Sequence, residues 1–296
     1  MDDRLQRVGV VGCGTMGAGI AESALSAGLD VRIAVASEAA VGRAKDRLLK
    51  VFDRAVAKER MTPEGRAGCE ARLSIVPDLY ELADRQLVVE AVVEDLAVKD
   101  AVFKTLDTAL EDPDSVITTT TSSFLVADLA ACTTRPQSVI GLHFFNPVTA
   151  MPLVEVVRTP HTSAKAEAVA QVFVSDFLGK EVIHVQDRCG FVVNALLVPY
   201  LMAAVRMYEQ GVASAKDIDR GMTLGCGHPI GPLALLDMIG LDTMVAVVQS
   251  MIAGSDDLVA GVPPLLIEMV ETGRTGRKAG HGFFRYEPYG DSPRRS

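Results

Sequence analysis

A chain of 296 residues, 49% hydrophobic and 23% charged, carries enough apolar material for one large domain or two ordinary ones, which excludes a small module and a disordered chain. Its net charge of −9 argues against a general nucleic-acid role, which needs a basic surface. No apolar run reaches the ~18 residues that crossing a bilayer requires.

From Arg7 to about Val185, short β-branched runs alternate with longer helical stretches, the pattern of a mainly parallel, doubly wound sheet with helices on both faces. The predicted strands are 8–11, 31–35, 87–93, 115–119, 139–142, 153–157 and 181–185, and their Val/Ile content suits strands buried on both sides. The first is followed by Gly12-Cys13-Gly14-Thr15-Met16-Gly17 and a helical run. This is the glycine-rich turn of a Rossmann-type dinucleotide site in its required place. Gly12 makes the tight turn, Gly14 lets the backbone approach a pyrophosphate, and Gly17 lets helix and strand pack closely, with Thr15 and Met16 opening the helix. Its free N–H groups and positive dipole end then face the anion. A glycine turn without a ligand is the competing reading, and the strand–turn–helix context disfavours it.

An acid ~20 residues beyond the glycines normally binds the adenosine ribose of NAD. Here the second strand ends at Val35 without one, and no acid follows until Glu38. Cofactor choice stays open at this point: NAD without that contact, or NADP with Ser37 and Arg32 or Arg43 as phosphate partners. Residues 43–60 then place seven basic against three acidic residues in a helical insertion spanning about 38–60. Arg43, Arg47, Lys50, Arg54 and Lys58 line one face, opposite a stripe of Val41, Ala44, Leu48, Val51 and Ala55. That face is either simply solvated or a landing surface for a polyanion such as the phosphorylated ADP end of coenzyme A.

Two further strands end at Thr121-Ser122-Ser123 and at His143-Phe144-Phe145-Asn146-Pro147, and the carboxyl ends of strands in such sheets gather where ligands bind. After Asp187 the strand runs stop and the apolar spacing becomes helical, so the chain reads as a dinucleotide-binding domain over 1–187 and an all-helical domain over 188–296. Ser214 with Asp217, and Pro229, Pro232 and Pro264, mark helix starts and breaks in the second part, and residues from Pro288 to Ser296 read as a loose tail. The cysteines Cys13, Cys69, Cys132, Cys189 and Cys226 have no metal-ligand spacing, which fits reduced thiols, no metal site and a cytoplasmic location. The acids at Asp2 and Asp3 do not suit a secretion leader.

Taken with Val89-Glu90-Ala91-Val92-Val93-Glu94, Leu153-Val154-Glu155, Gly190-Phe191-Val192-Val193-Asn194, His228-Pro229-Ile230-Gly231-Pro232 and Gly276-Arg277-Lys278, the segments above resemble the L-3-hydroxyacyl-CoA dehydrogenase family. Order and spacing match from about Arg7 to Tyr286, and the likeness is greatest to stand-alone bacterial 3-hydroxybutyryl-CoA dehydrogenases. The resemblance implies an oxidoreductase that moves hydride between C3 of a 3-hydroxyacyl-CoA and a nicotinamide cofactor, NAD by default. It implies His143 as general base, Glu155 as its charge partner, and Ser122 and Asn194 as substrate-orienting groups in a cleft between the domains. Glu94, Lys99, Ser122, Asn146 and Lys278 correspond to cofactor-contacting positions, and Lys58 to a coenzyme A contact. A surface charge pair is the alternative for Glu94 and Lys99, and a solvated loop for Lys278. The family also associates through the helical domain, which implies a homodimer.

The departures from the family pattern are Val35 in place of the ribose acid, and Thr120, Pro152, Cys189 and Ala195; none removes a proposed catalytic group. They leave the acyl group open and admit a hydroxyacyl group on a carrier protein. Two other functions compete: a related dehydrogenase of free hydroxy or sugar acids, and a cofactor-binding protein without turnover. The basic helix disfavours the first and the set Ser122, His143, Glu155 and Asn194 the second. Without the ribose acid, discrimination between NADH and NADPH is expected to be weak.

Overall fold

The valine-rich runs pair into an eight-stranded sheet in a computed structural model that describes residues 5–253 and 260–286; the expected tail from Pro288 to Ser296 lies outside those residues. The strands are β1 (Arg7–Val11), β2 (Asp30–Ala34), β3 (Leu73–Val76), β4 (Leu87–Glu90), β5 (Val116–Thr119), β6 (Val139–Phe144), β7 (Leu153–Arg158) and β8 (Glu181–Gln186). They lie in the order β3-β2-β1-β4-β5-β6-β7-β8, parallel throughout except for the antiparallel pair β6 and β7. Such a sheet must be covered on both faces. Helices α1 (Thr15–Ser26) and α2 (Glu38–Ala57) cover one face through Ile20, Leu25, Leu48 and Phe52. Following the short α3 (Pro63–Ala71), α4 (Leu96–Ala109) and α5 (Val126–Ala130) cover the other face through Phe103, Leu106 and Leu129. Returning to the first face, α6 (Ala164–Val172) buries Ala166 and Ala170. Each large side chain so buried contributes roughly 1.5–3 kcal/mol.

Three sequence expectations shift. The edge strand β3 has no predicted counterpart, because Leu73-Ser74-Ile75-Val76 is too short and too interrupted to read as a run. The strand expected over 87–93 ends at Glu90: the amide of Ala91 still bonds the carbonyl of Val11, but the amide of Val92 turns to the Glu90 carboxylate at 2.8 Å. On α2 the buried stripe is Ala44, Leu48, Phe52 and Ala55, with Phe52 in place of Val41 and Val51, which are only partly covered. Lys58 falls beyond the helix as its C-cap.

The chain divides into two compact units, Met1–Phe191 and Val192–Ser296. That division comes four residues later than the sequence places it, because Cys189 and Phe191 pack into the first unit, the thiol against the carbonyl of Ser123 at 3.6 Å. The second unit contains α7 (Val193–Glu209), α8 (Ala215–Gly225), α9 (Pro232–Ile239), α10 (Leu241–Ala253) and α11 (Pro264–Glu271). Ser214 caps α8 by accepting from the amide of Asp217, as its spacing predicts. The Asp219 carboxylate accepts from the amides of Leu233 and Ala234 at 2.8 and 2.9 Å and so caps α9 from a distance. A Cβ on Gly231 would stand 2.2 Å from that carboxyl carbon, which explains the glycine in His228-Pro229-Ile230-Gly231-Pro232. The buried Asp237 holds the amides of Phe283 and Phe284 and the hydroxyl of Tyr286. Among the described residues no single helix is long and apolar enough to cross a membrane.

Candidate active site and cofactor cleft

The turn after β1 begins with Gly12 in the left-handed region (φ +93°), where a Cβ would meet the carbonyl oxygen of Ala91 at 2.7 Å. Gly17 is equally forced, since its Cβ would lie 2.1 Å from the carbonyl oxygen of Gly12. Gly14 differs from both: a Cβ there would meet nothing within 4 Å, so the space above the turn is open. Gly14 is also the N-cap of α1 and no side chain caps it, which leaves the first amides of the helix directed into that opening. Gly12, Gly14, Thr15 and Met16 line a cavity of about 790 Å³ at the carboxyl ends of β1, β2 and β4. An open glycine, uncapped amides and a space of this size together fit the pyrophosphate of a dinucleotide.

The far wall of the same cavity carries Glu94, Thr120 and Ser122. Glu94 accepts from the hydroxyls of Thr121 (2.5 Å) and Ser123 (2.6 Å) and from the amide of Ser122 (3.1 Å), so one carboxylate fixes the whole Thr121-Ser122-Ser123 turn. Lys99 stands behind it. Its ammonium, fully buried, is 2.8 Å from Glu90 and 3.2 Å from Glu94, and Glu90 also accepts from the Thr119 hydroxyl at 2.7 Å. Burial pushes the Glu94 carboxyl up, but the Lys99 charge and the donors of the turn outweigh it and hold the group below the usual carboxylate range. Lys99 is therefore no surface ion pair and does not reach the cavity; it acts through Glu94. Sequence reasoning passed over Glu90, although a charged residue inside the buried run Leu87-Val88-Val89 is itself a signal.

β5 and β6 are neighbours, with Thr119 opposite Gly141, so Ser122 and His143 leave the same edge of the sheet. His143 pairs across the antiparallel ladder with Glu155 on β7. Its Nδ1 lies 2.5 Å from Glu155 Oε2, His143 is 5% exposed and Glu155 is not exposed at all. The imidazole is held on its flanks by Phe145 and Phe191, with ring centroids at 4.8 and 5.2 Å. Phe191 takes a left-handed backbone (φ 49°), a strained conformation for a bulky residue and of the kind that gathers at functional sites. With Nδ1 committed to the carboxylate, Nε2 is the nitrogen left for proton transfer.

The remaining predicted residues are dispersed. Asn146 is exposed just beyond β6 and Lys58 is exposed at the end of α2. Asn194 is the second residue of α7 in the second unit, and Lys278, in the same unit, is 2.6 Å from Asp242. Within the first unit, neither Asn146 nor Lys58 lines the cavity. Nor does Arg32, a candidate phosphate partner, which is tied down by Ser74 and Asp84. Arg43 lines the cavity, and so does Arg47, which the sequence places only on the basic face.

Comparison with known proteins matches residues 7–188 to the 3-hydroxyacyl-CoA dehydrogenase NAD binding domain and residues 190–286 to the C-terminal domain of the same family. The 3-hydroxybutyryl-CoA dehydrogenase of Mycobacterium tuberculosis is 48% identical over 286 residues, 97% of this chain and 100% of that protein. The human mitochondrial hydroxyacyl-coenzyme A dehydrogenase is 40% identical, over 96% of this chain and 92% of its own. Among solved structures, FadB2 of M. tuberculosis superposes with a TM-score of 0.90 at 47% identity, covering 96% of this chain and 100% of that one. The (S)-3-hydroxybutyryl-CoA dehydrogenase of Ralstonia eutropha gives 0.87 at 40% identity, with 96% and 100% covered.

Proposed function

The chain belongs to the 3-hydroxyacyl-CoA dehydrogenase family and is an NAD-dependent oxidoreductase of 3-hydroxyacyl-CoA thioesters, and we propose that its substrate is the short-chain 3-hydroxybutyryl thioester, with His143 as general base. The buried His143–Glu155 pair carries this reading. Nε2 takes the proton of the C3 hydroxyl, and Glu155 keeps Nδ1 protonated and favours the imidazolium that forms. NAD, when bound, accepts the hydride from C3.

Ser122, set by Glu94 and through it by Lys99 and Glu90, presents a hydroxyl to the substrate oxygen, and Asn194 supplies a second donor. The first-turn amides of α1 take the pyrophosphate, and Asn146 and Lys278 complete the cofactor contacts. Lys58, with Lys50 and Arg54 before it on the basic side of α2, receives the phosphorylated end of coenzyme A. A homodimer through the helical unit and a cytoplasmic location complete the proposal; exposed apolar side chains on that unit support the first and the reduced thiols of Cys13, Cys69, Cys132 and Cys226 the second. The deciding assay is oxidation of NADH by acetoacetyl-CoA at neutral pH. Turnover supports the proposal; turnover of a free hydroxy acid together with none of the thioester would replace it.

A further inference from the structure

The cleft departs from an ordinary NAD site at one place. β2 ends at Ala34, and Ala34, Val35 and Ala36 line the cavity where a carboxylate would grip the adenosine ribose. Glu38, the next acid, is exposed in the first turn of α2 and lines neither this cavity nor its neighbour. What α2 does bring to that wall is a pair of guanidinium groups one helical turn apart, Arg43 and Arg47. Both also line an adjoining cavity of about 510 Å³, whose wall continues with Lys50 and Arg54. No carboxylate is ion-paired with Arg43 or Arg47 among the described residues; Asp46, the nearest acid in sequence to both, lines only the adjoining cavity.

We propose that Arg43 and Arg47 receive a 2′-phosphate on the adenosine ribose, so that the cleft takes the phosphorylated nicotinamide dinucleotide as well as NAD. The carboxylate that normally repels such a phosphate is missing, and two unpaired guanidinium forks stand in its place. Arginine suits the task because its planar donors meet phosphate oxygens in pairs and its charge does not titrate. Neither Ser37 nor Arg32 takes part: Ser37 is the exposed N-cap of α2 outside the cavity, and Arg32 is engaged by Ser74 and Asp84. The proposal rests on the reading of this cleft as the dinucleotide site.

The test is displacement of bound NADH, followed by its fluorescence, so that only binding at the cofactor site is read. Three competitors are compared: 5′-AMP, adenosine 2′,5′-bisphosphate and adenosine 3′,5′-bisphosphate, the last with the charge of the second but the phosphate elsewhere. The 2′,5′ compound is expected to displace NADH at a concentration at least about tenfold lower than either of the others, the gain of one charge-assisted phosphate contact. In the double variant Arg43→Ala/Arg47→Ala that advantage is expected to fall to within about twofold while 5′-AMP competes as before. The proposal is overturned if the 2′,5′ compound competes no better than 5′-AMP or than its 3′,5′ isomer, or if its advantage survives in the double variant. Failure of NADH itself to bind would overturn the reading of the cleft along with it, whereas NADH binding with equal competition overturns the phosphate site alone.

Discussion

His143 and Glu155 meet because β6 and β7 are the one antiparallel pair in a parallel sheet, and antiparallel register sets the two side chains opposite each other on one face. Replacing the imidazole removes the proposed proton acceptor without touching the glycine turn proposed to hold the cofactor. His143→Ala is therefore expected to lower kcat by roughly 10²–10⁴-fold, with NADH affinity unchanged within a few-fold; steady-state rates and a fluorescence titration check both halves. Glu94 gives a pH dependence of known sign. Its carboxyl is held below the ordinary range in the folded state, so its stabilisation is fully present above the unfolded value of ~4.3 and is lost as the pH falls through the depressed folded value. Thermal melts of wild type and Glu94→Gln should differ most at neutral pH and converge in acid; a gap that stays constant down to the acid limit would assign the difference to packing. The histidine, the two glutamates and the serine were readable in the sequence as motif members. The dependence of the Ser122 turn on Lys99 through Glu94 was not, because Lys99 and Glu94 are five residues apart and only the fold sets the buried Lys99–Glu90 pair behind Glu94.

At the scale of elements, the glycine turn and the start of α1 were legible, since Gly12 and Gly17 each answer a steric demand that no other residue meets, and Gly14 leaves the space above the turn open. Gly17→Ala forces a Cβ against the carbonyl oxygen of Gly12, and the turn or the helix must give way. A loss of stability of about 1–3 kcal/mol is expected, together with a loss of NADH affinity larger than that of a helix-surface variant such as Ala39→Ser; denaturant melts and titration measure the two. The end of β4 was not legible, because Ala91-Val92-Val93 continues the apolar run and only the Glu90 side chain, by capturing the Val92 amide, stops the ladder. The face of α2 was legible as charged but not as divided. The helical period fixes which residues are solvated, whereas the part of that face that meets a cavity depends on where β2 ends.

For the whole molecule, the change from alternating strands and helices to uninterrupted helices marked the two units to within a few residues, and the small difference comes from Phe191, whose ring packs beside His143 in the first unit. The proposed homodimer rests in the sequence on the family resemblance and on an excess of apolar residues over what a helical unit of this size can bury. The structure gives that excess positions: Leu196 on α7 is 71% exposed, Leu224 on α8 76%, Met238 on α9 54% and Val212 between α7 and α8 64%. Scattered exposed leucines need no explanation on a monomer, but several large apolar groups on a small helical unit are the composition of an interface core. A stable dimer buries on the order of 1,200–2,000 Å² in total and is dominated by a few fully desolvated anchors. Charged groups at two of those anchors should therefore break it. The wild type is expected to scatter light as a dimer at micromolar concentration, and Leu196→Glu/Leu224→Glu as a monomer that still binds NADH, because the glycine turn proposed to hold the cofactor lies in the other unit. A wild-type monomer, or a double variant that remains dimeric, would remove these leucines from any interface and leave their exposure without a partner.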